Sequence, residues 1–371
     1  MKLENRKLKI FVDCHVFDGG FQGTRTYIQG LYLELIKDKT IQFYFVANDT
    51  ENLKSIFGEQ NNITFLKYTF KNKFLRLLFD TPYLIVKNKI DFAHFQYIVP
   101  PFKFSKYIVT THDVLFIDFP KYFSSLNRIK NTFLYKQGAK SANIRLTVSE
   151  YSKSQIAHHF NIHNYHITPN AVDKVFFESY HKKEIQKTVF EKYKLTNYII
   201  YISRWEPRKN QQLLLKSFVD LKLYENYQLL FIGDTTSNNQ EFFNIYNTLD
   251  AKIKDKIIRM DKTDFKTMLL LLRGAKASVY PSIAEGFGIP PLEAIAAGIP
   301  TICSNQTAMS DFTFLKKFEF DPNNDFEFNE KLKAILNTDF SQEFSEISNK
   351  IKEIYSWEKS AKTLKKQITD F

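Results

Sequence analysis

Short β-type segments alternate with helical segments along the whole chain, and this alternation is the strongest constraint on its fold. In the first half, strands are predicted at residues 8–14, 41–47, 90–96, 107–113 and 144–150. The pattern then restarts, with strands predicted at residues 198–204, 228–234, 256–261, 277–282 and 300–305. Apolar strands that alternate with helices form parallel, doubly wound sheets. We therefore predict two Rossmann-like α/β domains of similar size.

A turn signal at residues 169–170 (Pro-Asn) marks the predicted boundary between the two halves. We assign residues 1–175 to a first domain and residues 176–355 to a second one, as a chain of 371 residues suggests. The C-terminal segment, residues 356–371, has the pattern of an amphipathic helix and is assigned separately.

Glycine is scarce in this chain, with 11 residues in 371, which is less than half of the usual ~7%. Six of these glycines fall in two stretches, at positions 19, 20 and 23 and at positions 286, 288 and 298. Each stretch follows a predicted strand, and ligands of open α/β sheets bind beyond the carboxyl ends of the strands. Because glycine lets the backbone turn sharply or approach a ligand closely, both stretches are candidate sites.

The charge of the chain is positive and unevenly distributed. Of the net +12, residues 1–172 contribute +10, since they hold 23 Lys/Arg and 13 Asp/Glu. This asymmetry indicates an anionic partner for the first half, while solubility alone is the alternative interpretation. We expect no nucleic-acid partner, because only the charge favours one and no recognised binding module is visible.

The two cysteines, Cys14 and Cys303, are far apart in the sequence and indicate neither a disulfide framework nor a metal site. We interpret them as small buried side chains in a reducing compartment. The N-terminus runs into a strand pattern without the features of a signal peptide, and no apolar run approaches the ~18 residues of a membrane span. We therefore expect a cytoplasmic protein.

The segment EGFGIPPLE (285–293) places two carboxylates around two glycines and two prolines. The prolines predict the start of a helix that ends at Gly298. The glycines would then precede a helix N-terminus, where N–H groups and the helix dipole bind anions. We expect the dipole to favour an ionised Glu293, which can accept two hydrogen bonds from the diol of a ribose. The alternative is an ordinary turn with solvated glutamates.

The segment SRWEPRKN (203–210) follows the first strand of the second half. Arg204 and Lys209 are five residues apart across this loop, and Arg208 is adjacent to Lys209. Arginine offers a fork of donors and lysine a point charge, a pairing suited to a diphosphate. Solvated charge is the alternative.

Together these segments resemble the retaining glycosyltransferases of family 4, which have the GT-B fold. The second half carries the resemblance in SRWEPRKN, LLFIGD, YPSIAEGFGIPPLEAIAAGIPTICSN with its Glu-x7-Glu element, and YSWEKSA. The first half carries it in Asp13 with GGFQGTRTY, VTTHD, FPKYF, TVSEYSKSQI and ITPNAVD. The resemblance implies two Rossmann-like, doubly wound parallel-sheet domains that face each other across a cleft, with the C-terminal helix returning to the first domain.

The resemblance also implies roles for individual residues. Catalytic roles fall to Glu285, His112, Arg204 and Lys209. The donor would be bound by Gly286, Phe287, Gly288, Ile289, Glu293, Arg204, Lys209, Gly20 and Gly23. Candidates for the acceptor side are His94, Gln96, Tyr97 and Asp113. For the two histidines a structural role is the alternative. The chain departs from the family at Ser310-Asp311, where a proline–acid pair is usual, and at Ser203, where glycine is common.

In terms of activity, the resemblance implies a retaining, metal-independent hexosyltransferase that needs no cofactor. No Asp-x-Asp metal motif is present, so the cations would do the work of a metal. It would move a hexose, with mannose favoured, from GDP-mannose or a UDP-sugar to a glycan or lipid-linked glycan in surface polysaccharide or lipopolysaccharide biosynthesis. Front-side attack and double displacement both stay open. The alternatives are a GT-B epimerase and a non-catalytic nucleotide- or glycan-binding partner of an envelope-assembly complex.

A basic amphipathic stretch at residues 70–89 adds a prediction about the membrane. Residues 71–140 hold twelve Lys/Arg and four Asp/Glu, and such a surface can lie on an anionic bilayer. We expect the first domain to bind an acceptor and to associate peripherally with the inner face of the cytoplasmic membrane. The alternative is a helix packed on its own sheet with its charges solvated.

Overall fold

The computed structural model describes residues 6–19, 23–234 and 239–371. Contacts within the chain divide it into two units. The first unit comprises the chain up to Ala171 together with Ser356–Phe371, and the second comprises Val172–Tyr355. The division after Ala171 lies close to the predicted division after residue 175.

The first unit is built on a parallel sheet of seven strands. They are β1 (Leu8–Asp13), β2 (Ile41–Ala47), β3 (Ile63–Lys67), β4 (Phe92–Gln96), β5 (Lys106–Thr110), β6 (Ile144–Thr147) and β7 (Tyr165–Ile167). Their order in the sheet is β3-β2-β1-β4-β5-β6-β7. The five predicted strands are all present. The two that the sequence did not clearly predict, β3 and β7, are the edge strands, which have weaker apolar patterns because each pairs with only one neighbour.

Helices cover the sheet of the first unit between its strands. They are α1 (Gly23–Leu35), α2 (Thr50–Phe57), α3 (Lys73–Leu75), α4 (Thr81–Asn88), α5 (Leu115–Asp118), α6 (Ser125–Ser141) and α7 (Glu150–Phe160). A π-helical turn, Arg76–Asp80, joins α3 to α4 without a break. Turns of this type are rare in proteins and frequent at functional sites.

The second unit contains a parallel sheet of six strands. They are β8 (Tyr198–Ile202), β9 (Gln228–Ile232), β10 (Ile257–Met260), β11 (Ala277–Tyr280), β12 (Thr301–Ser304) and β13 (Glu319–Phe320). Their order is β10-β9-β8-β11-β12-β13. Its helices are α8 (Lys182–Tyr193), α9 (Gln211–Asp220), α10 (Gln240–Thr248), α11 (Ala251–Lys254), α12 (Phe265–Gly274), α13 (Ile289–Ala296), α14 (Asp325–Asn337) and α15 (Ser341–Ile354).

The C-terminal helix, α16 (Trp357–Thr369), packs against α1 in the first unit, as predicted. Position 30 on α1 must be glycine, because a Cβ there would collide with the indole of Trp357. Further along α16, the Ser360 hydroxyl donates to the carbonyl of Pro169 at 2.8 Å. The ammonium of Lys365 lies 2.7 Å from Asp38. Apolar packing and polar contacts together therefore attach the end of the chain to the first unit.

Each sheet has one point at which the strand order reverses. In the first unit this point lies between β1 and β4, and in the second it lies between β8 and β11. Helices on the two sides of such a point diverge, which leaves a crevice at the carboxyl ends of the two strands. The loops that follow these four strands are therefore the places to look for ligand sites. Across the described parts of the chain, no helix combines the length and the apolar character that crossing a membrane requires.

Candidate functional site

Two loops of the second unit meet beyond the carboxyl ends of β8 and β11. The first contains a short 3-10 turn, Pro207–Lys209, and the second leads into α13. The N–H of Ile283 donates to the carbonyl of Arg208 at 2.8 Å. The hydroxyl of Tyr201 donates to the carbonyl of Lys209 at 2.6 Å. Hydrogen bonds thus tie both loops to each other and to β8, and they fix the relative positions of the charged side chains.

Glu285 lies at the centre of this site between two cations. One carboxylate oxygen, Oε1, is 2.5 Å from the ammonium of Lys209, and the other, Oε2, is 3.4 Å from the guanidinium of Arg208. All three side chains are at least 87% buried. The structure therefore brings two of the predicted catalytic residues, Glu285 and Lys209, into direct contact.

The charges in this cluster control one another. Burial by itself raises the pKa of Glu285, but Lys209 and Arg208 outweigh it and lower that pKa to about 2. Burial also lowers the pKa of Lys209, and the negative charge of Glu285 offsets part of that decrease. Glu285 is therefore a carboxylate at neutral pH and does not act as a general acid.

Arg204 stands at the rim of the same cluster, with 52% of its side chain exposed. Its guanidinium is 3.1 Å from Glu206, which also contacts Arg208 at 2.6 Å. Glu206 therefore links the exposed arginine to the buried one. Arg204 can rotate toward a ligand because its side chain is mostly in solvent, whereas Arg208 is fixed in place and also donates to the carbonyl of Ala284.

Residues 307–311 pack against the loop that contains Gly286 and Gly288. The N–H of Glu285 donates to the hydroxyl of Thr307 at 2.9 Å. Gly288 has a φ of 89°, and a Cβ there would lie 2.6 Å from Cγ of Met309. Glycine is therefore required at 288 for its backbone angle and for space. The segment in which Ser310-Asp311 replaces the usual proline–acid pair thus supports this loop.

The start of α13 differs from the prediction in its detail. The helix begins at Ile289, so Pro290 and Pro291 both lie in its first turn and remove two N–H groups from it. The free backbone N–H groups at the N-terminus of α13 are therefore those near Gly288 and Ile289. The ring of Phe287 is 93% buried and packs 5.5 Å from that of Tyr355. Phe287 can therefore contact a donor substrate only through its backbone.

Glu293 does not lie in the first turn of α13, where the dipole was expected to favour its ionised form. The carboxylate lies beyond the first turn of α13, where the dipole has little effect. Burial, with a smaller effect from the negative charge of Asp173, raises the pKa of Glu293 to about 7. The environment of Glu293 therefore favours its neutral form more than water does.

In the first unit, His112 follows β5 and forms part of a buried polar group. Its Nε2 is 2.7 Å from Oε1 of Gln96. Its ring packs at 4.9 Å from Tyr27 and at 5.3 Å from Tyr97. Burial lowers the pKa of His112 to about 3, so the ring is neutral. Since Oε1 of Gln96 only accepts, His112 donates through Nε2 and keeps Nδ1 as an acceptor.

His94 is not available to an acceptor, contrary to the prediction. It lies within β4 and is fully buried. Its Nδ1 is 2.7 Å from the hydroxyl of Tyr32, and its Nε2 is 2.8 Å from that of Thr110. Because both ring nitrogens are bonded inside the core, His94 has a structural role.

The remaining predicted residues of the first unit are distributed between loops. Asp113 accepts a hydrogen bond from the N–H of Leu115 at 3.2 Å, which fits a role in shaping the loop. Gly23 is the first residue of α1 and is exposed. Gly20 lies outside the described residues.

Three residues near the second-unit cluster were not predicted to be part of a site: Arg208, Glu206 and Thr307. Arg208 and Glu206 are within the SRWEPRKN loop, so their position beside Lys209 was a usable signal. Thr307 is 22 residues from Glu285 in sequence, and nothing in its local sequence indicates that it supports the glycine loop.

Two α/β units with parallel sheets, each with a reversal point, are the architecture of the GT-B fold. The fold agrees with that of sucrose-phosphate synthase (tll1590) from Thermosynechococcus elongatus, with a TM-score of 0.76 over 98% of both chains at 14% identity. Residues 22–175 match the family Glycosyltransferase Family 4, and residues 182–355 match Glycosyl transferases group 1. The chain belongs to the family 4 type of GT-B glycosyltransferases.

Two curated relatives are similar over part of the chain. O-antigen chain mannosyltransferase RfbU of Salmonella typhimurium is 31% identical over 200 residues, which cover 53% of this chain and 51% of that protein. O-antigen chain mannosyltransferase B of Escherichia coli is 28% identical over 234 residues, which cover 60% of this chain and 59% of that protein. The chain thus spans between half and three fifths of the length of these relatives.

Proposed function

We propose that this protein is a retaining, metal-independent hexosyltransferase of surface polysaccharide or lipopolysaccharide biosynthesis. It transfers a hexose, with mannose favoured, from a nucleotide diphosphate sugar to a glycan or lipid-linked glycan. The observation that carries the proposal is the cluster of Glu285, Lys209 and Arg208 at the reversal point of the second sheet. The similarity to two O-antigen mannosyltransferases supports the choice of sugar and pathway.

The cations of the cluster suit the leaving group of such a reaction. A nucleotide diphosphate gains negative charge as the bond to the sugar breaks, and fixed positive groups stabilise that charge. Lys209 is held in place by Glu285, while the exposed Arg204 can close onto the diphosphate. Glu206 and Glu285 balance two of the three positive charges of Arg204, Arg208 and Lys209, so the cluster keeps a net positive charge. That charge can stabilise an anionic leaving group, as a metal ion does elsewhere.

The carboxylates bind and position the donor in this proposal. Glu285 stays ionised and accepts hydrogen bonds from hydroxyls of the donor sugar, while the backbone around Gly286 and Gly288 contacts sugar and phosphate. Glu293 binds the ribose diol and must lose its proton to accept both hydrogen bonds. The neutral His112 offers Nδ1 as an acceptor for a sugar hydroxyl.

The first unit carries a surface that suits an anionic membrane. Among the described residues, sixteen large hydrophobic side chains are exposed, and eleven of them lie between residues 74 and 133. On α6, Leu126, Ile129 and Phe133 are 83%, 71% and 63% exposed and share one face. Twelve Lys/Arg in residues 71–140 add positive charge. We infer peripheral binding to the inner face of the cytoplasmic membrane, where a lipid-linked acceptor would be presented.

The transfer reaction is tested with GDP-mannose and a panel of UDP-sugars, by measuring nucleotide release with and without a glycan acceptor and with EDTA present. We expect release from one donor, and expect Arg204→Gln and Glu285→Gln to abolish most of it. Lys216→Gln, which changes an exposed lysine of the same unit, is the matched control. Failure of every donor, or variants that release nucleotide at the wild-type rate, would overturn the proposal.

Membrane binding is tested by co-sedimentation with vesicles of phosphatidylcholine, with and without phosphatidylglycerol. Serine at positions 126, 129 and 133 together should reduce binding to the anionic vesicles several-fold. Phe326→Ser, which removes a 76% exposed ring from the second unit, should leave it unchanged. Equal binding by all three proteins, or none by wild type, would rule out this surface.

A further inference from the structure

The reversal point of the first sheet also has a pocket, which the proposed reaction does not yet use. Its volume is ≈190 Å³, and it lies where β1 and β4 end. Asp13 ends β1, Gln96 ends β4, and Lys73 and Arg76 reach the pocket from the segment that contains the π-helical turn. The ring of Tyr135, on α6, completes one wall and stacks 4.4 Å from that of Tyr97.

Two buried side chains in this pocket have a donor without a partner in the described structure. Arg76 is 96% buried, and its Nε–H has no hydrogen-bond acceptor among the described residues. Gln96 is 93% buried, and its Nε2 likewise has no acceptor in the described part of the chain. Buried donors are rarely left unpaired, because each costs roughly 1–3 kcal/mol in lost hydration. Both groups therefore lack a hydrogen-bond acceptor that a ligand in the pocket could provide.

The charge balance of the pocket favours an anion as that ligand. The positive side chains of Arg76 and Lys73 line it with a single carboxylate, that of Asp13. Asp13 already has three partners: its oxygens contact Nδ1 of His15 at 3.0 Å, the hydroxyl of Tyr68 at 2.9 Å and the guanidinium of Arg76 at 3.8 Å. The lining thus has one positive charge more than negative, contributed by the exposed Lys73 at the pocket's edge.

We propose that this pocket binds an anionic group of the acceptor, a phosphate, through Arg76, Lys73 and Gln96. The inference rests on the proposed glycosyltransferase function, and it deepens it by specifying a phosphorylated acceptor. The unprotonated oxygens of a phosphate accept hydrogen bonds, which matches the pocket's donors, and an arginine fork binds them with two hydrogen bonds. The pocket is large enough for a phosphate and part of an adjoining sugar.

The acceptor, rather than the donor, is the source of this phosphate. The second unit already has Arg204 and Lys209 for the donor's diphosphate. The pocket of the first unit is lined by the segment that carries the exposed Phe74 and Phe79, and by α6, which carries Phe133. A phosphate bound between these apolar side chains would have its lipid chain beside a surface suited to a bilayer. Both a soluble sugar phosphate and a lipid-linked phosphate have the required chemistry.

The binding test uses inorganic phosphate and phenyl phosphate in calorimetric titrations without any donor. We expect Lys73→Gln and Arg76→Gln to weaken binding about tenfold or more, as for the loss of a charged hydrogen bond. Arg76→Lys, which keeps the charge beside Asp13, should restore part of it. Lys71→Gln is the matched control, since it removes an exposed lysine two residues from Lys73 that does not line the pocket. Lys73 is exposed, so its variant should fold.

A second arm identifies the source of the phosphate. Vesicles that contain a polyprenyl phosphate are compared with phenyl phosphate for wild type and Lys73→Gln. A loss of binding to either probe in the variant supports the subsite, and the probe that shows the larger loss identifies the preferred source. Binding that Arg204→Gln weakens and Lys73→Gln does not would place the phosphate in the second unit and overturn the proposal, as would no binding at all.

These outcomes separate the pocket from the proposed reaction. Because the titrations contain no donor, an enzyme that fails to cleave any nucleotide sugar could still bind phosphate through Arg76. Conversely, a protein that releases nucleotide from GDP-mannose but binds neither phosphate probe would refute only the anion subsite.

Discussion

Removing the ammonium of Lys209 should destabilise the second unit strongly. The pKa of Glu285 falls from 4.5 to about 2 in the folded protein, which corresponds to about 3 kcal/mol at ~1.36 kcal/mol per pH unit. Lys209, at 2.5 Å, is nearer to Glu285 than Arg208 is, at 3.4 Å. We therefore expect Lys209→Met to lower the free energy of unfolding by about 3 kcal/mol, since it leaves a buried carboxylate with one distant partner.

The double variant distinguishes this electrostatic cause from simple loss of packing. In Lys209→Met with Glu285→Gln neither charge remains, and we expect at least half of the lost stability to return. Lys216→Met is the matched control, because Lys216 pairs with Asp325 at 2.5 Å on the surface, where both side chains are about half exposed. Such a surface pair contributes at most about 1 kcal/mol.

Urea unfolding at pH 7 measures these differences. The fluorescence of Trp205, which is buried in the second unit, reports the transition in a Trp357→Phe background that removes the other tryptophan. A carboxylate whose pKa is lowered by folding stabilises the folded protein at pH values above its pKa in the unfolded chain. This stabilisation is lost as the pH falls toward the pKa in the folded protein. The effect of Lys209→Met should therefore shrink between about pH 4.5 and pH 2. A single variant as stable as wild type, or a double variant no better than the single, would refute this reasoning.

Three further predictions concern the same unit. Arg204→Gln should lower kcat/KM about 10²–10³-fold, as for a lost transition-state donor, while its urea midpoint stays unchanged because the side chain is 52% exposed; a shifted midpoint would contradict this. The pKa of Glu293 is raised from 4.5 to about 7, so its neutral form favours folding. This stabilisation is full below about pH 4.5 and is lost as the pH rises through 7, and nucleotide binding should tighten over that upper range. Glu293→Gln should remove both dependences, as measured by thermal unfolding and calorimetry. Gly288→Ala should destabilise by roughly 1–3 kcal/mol, since a Cβ there would meet Met309 at 2.6 Å; an unchanged melting temperature would show that the loop relaxes.

Much of the fold could be predicted from local sequence. All ten predicted strands are present. Nine of them are central strands, which parallel sheets bury on both faces and which have continuous apolar sequences, and the tenth, β10, is an edge strand. The strands that were missed or only partly indicated, β3, β7 and β13, are edges of the two sheets, and β13 has only two residues. Each of these three strands has only one neighbour, and its length or apolar pattern was too weak to be recognised.

Several residues of the site could be predicted from the sequence, but the contacts between them could not. Scarce glycine and the charged SRWEPRKN loop located both halves of the second-unit cluster. His94 and His112 both follow apolar strand residues, and the sequence does not distinguish them. In the structure His94 is hydrogen-bonded within the core, whereas His112 contacts Gln96, which lines the pocket. Likewise, only the tertiary structure shows that Arg76 and Gln96 each have a buried N–H donor without an acceptor among the described residues.

The sequence by itself determined where strands, helices and sharp turns form, because those depend on apolar periodicity and on glycine and proline backbones. Tertiary structure decided what the charged groups do. Glu285 and Glu293 lie in one nine-residue segment, yet the pKa of the first is lowered to about 2 and that of the second raised to about 7. The physical reason is that Glu285 faces Lys209, 76 residues away in sequence, whereas Glu293 is partly buried and the charge that shifts its pKa is the negative one of Asp173.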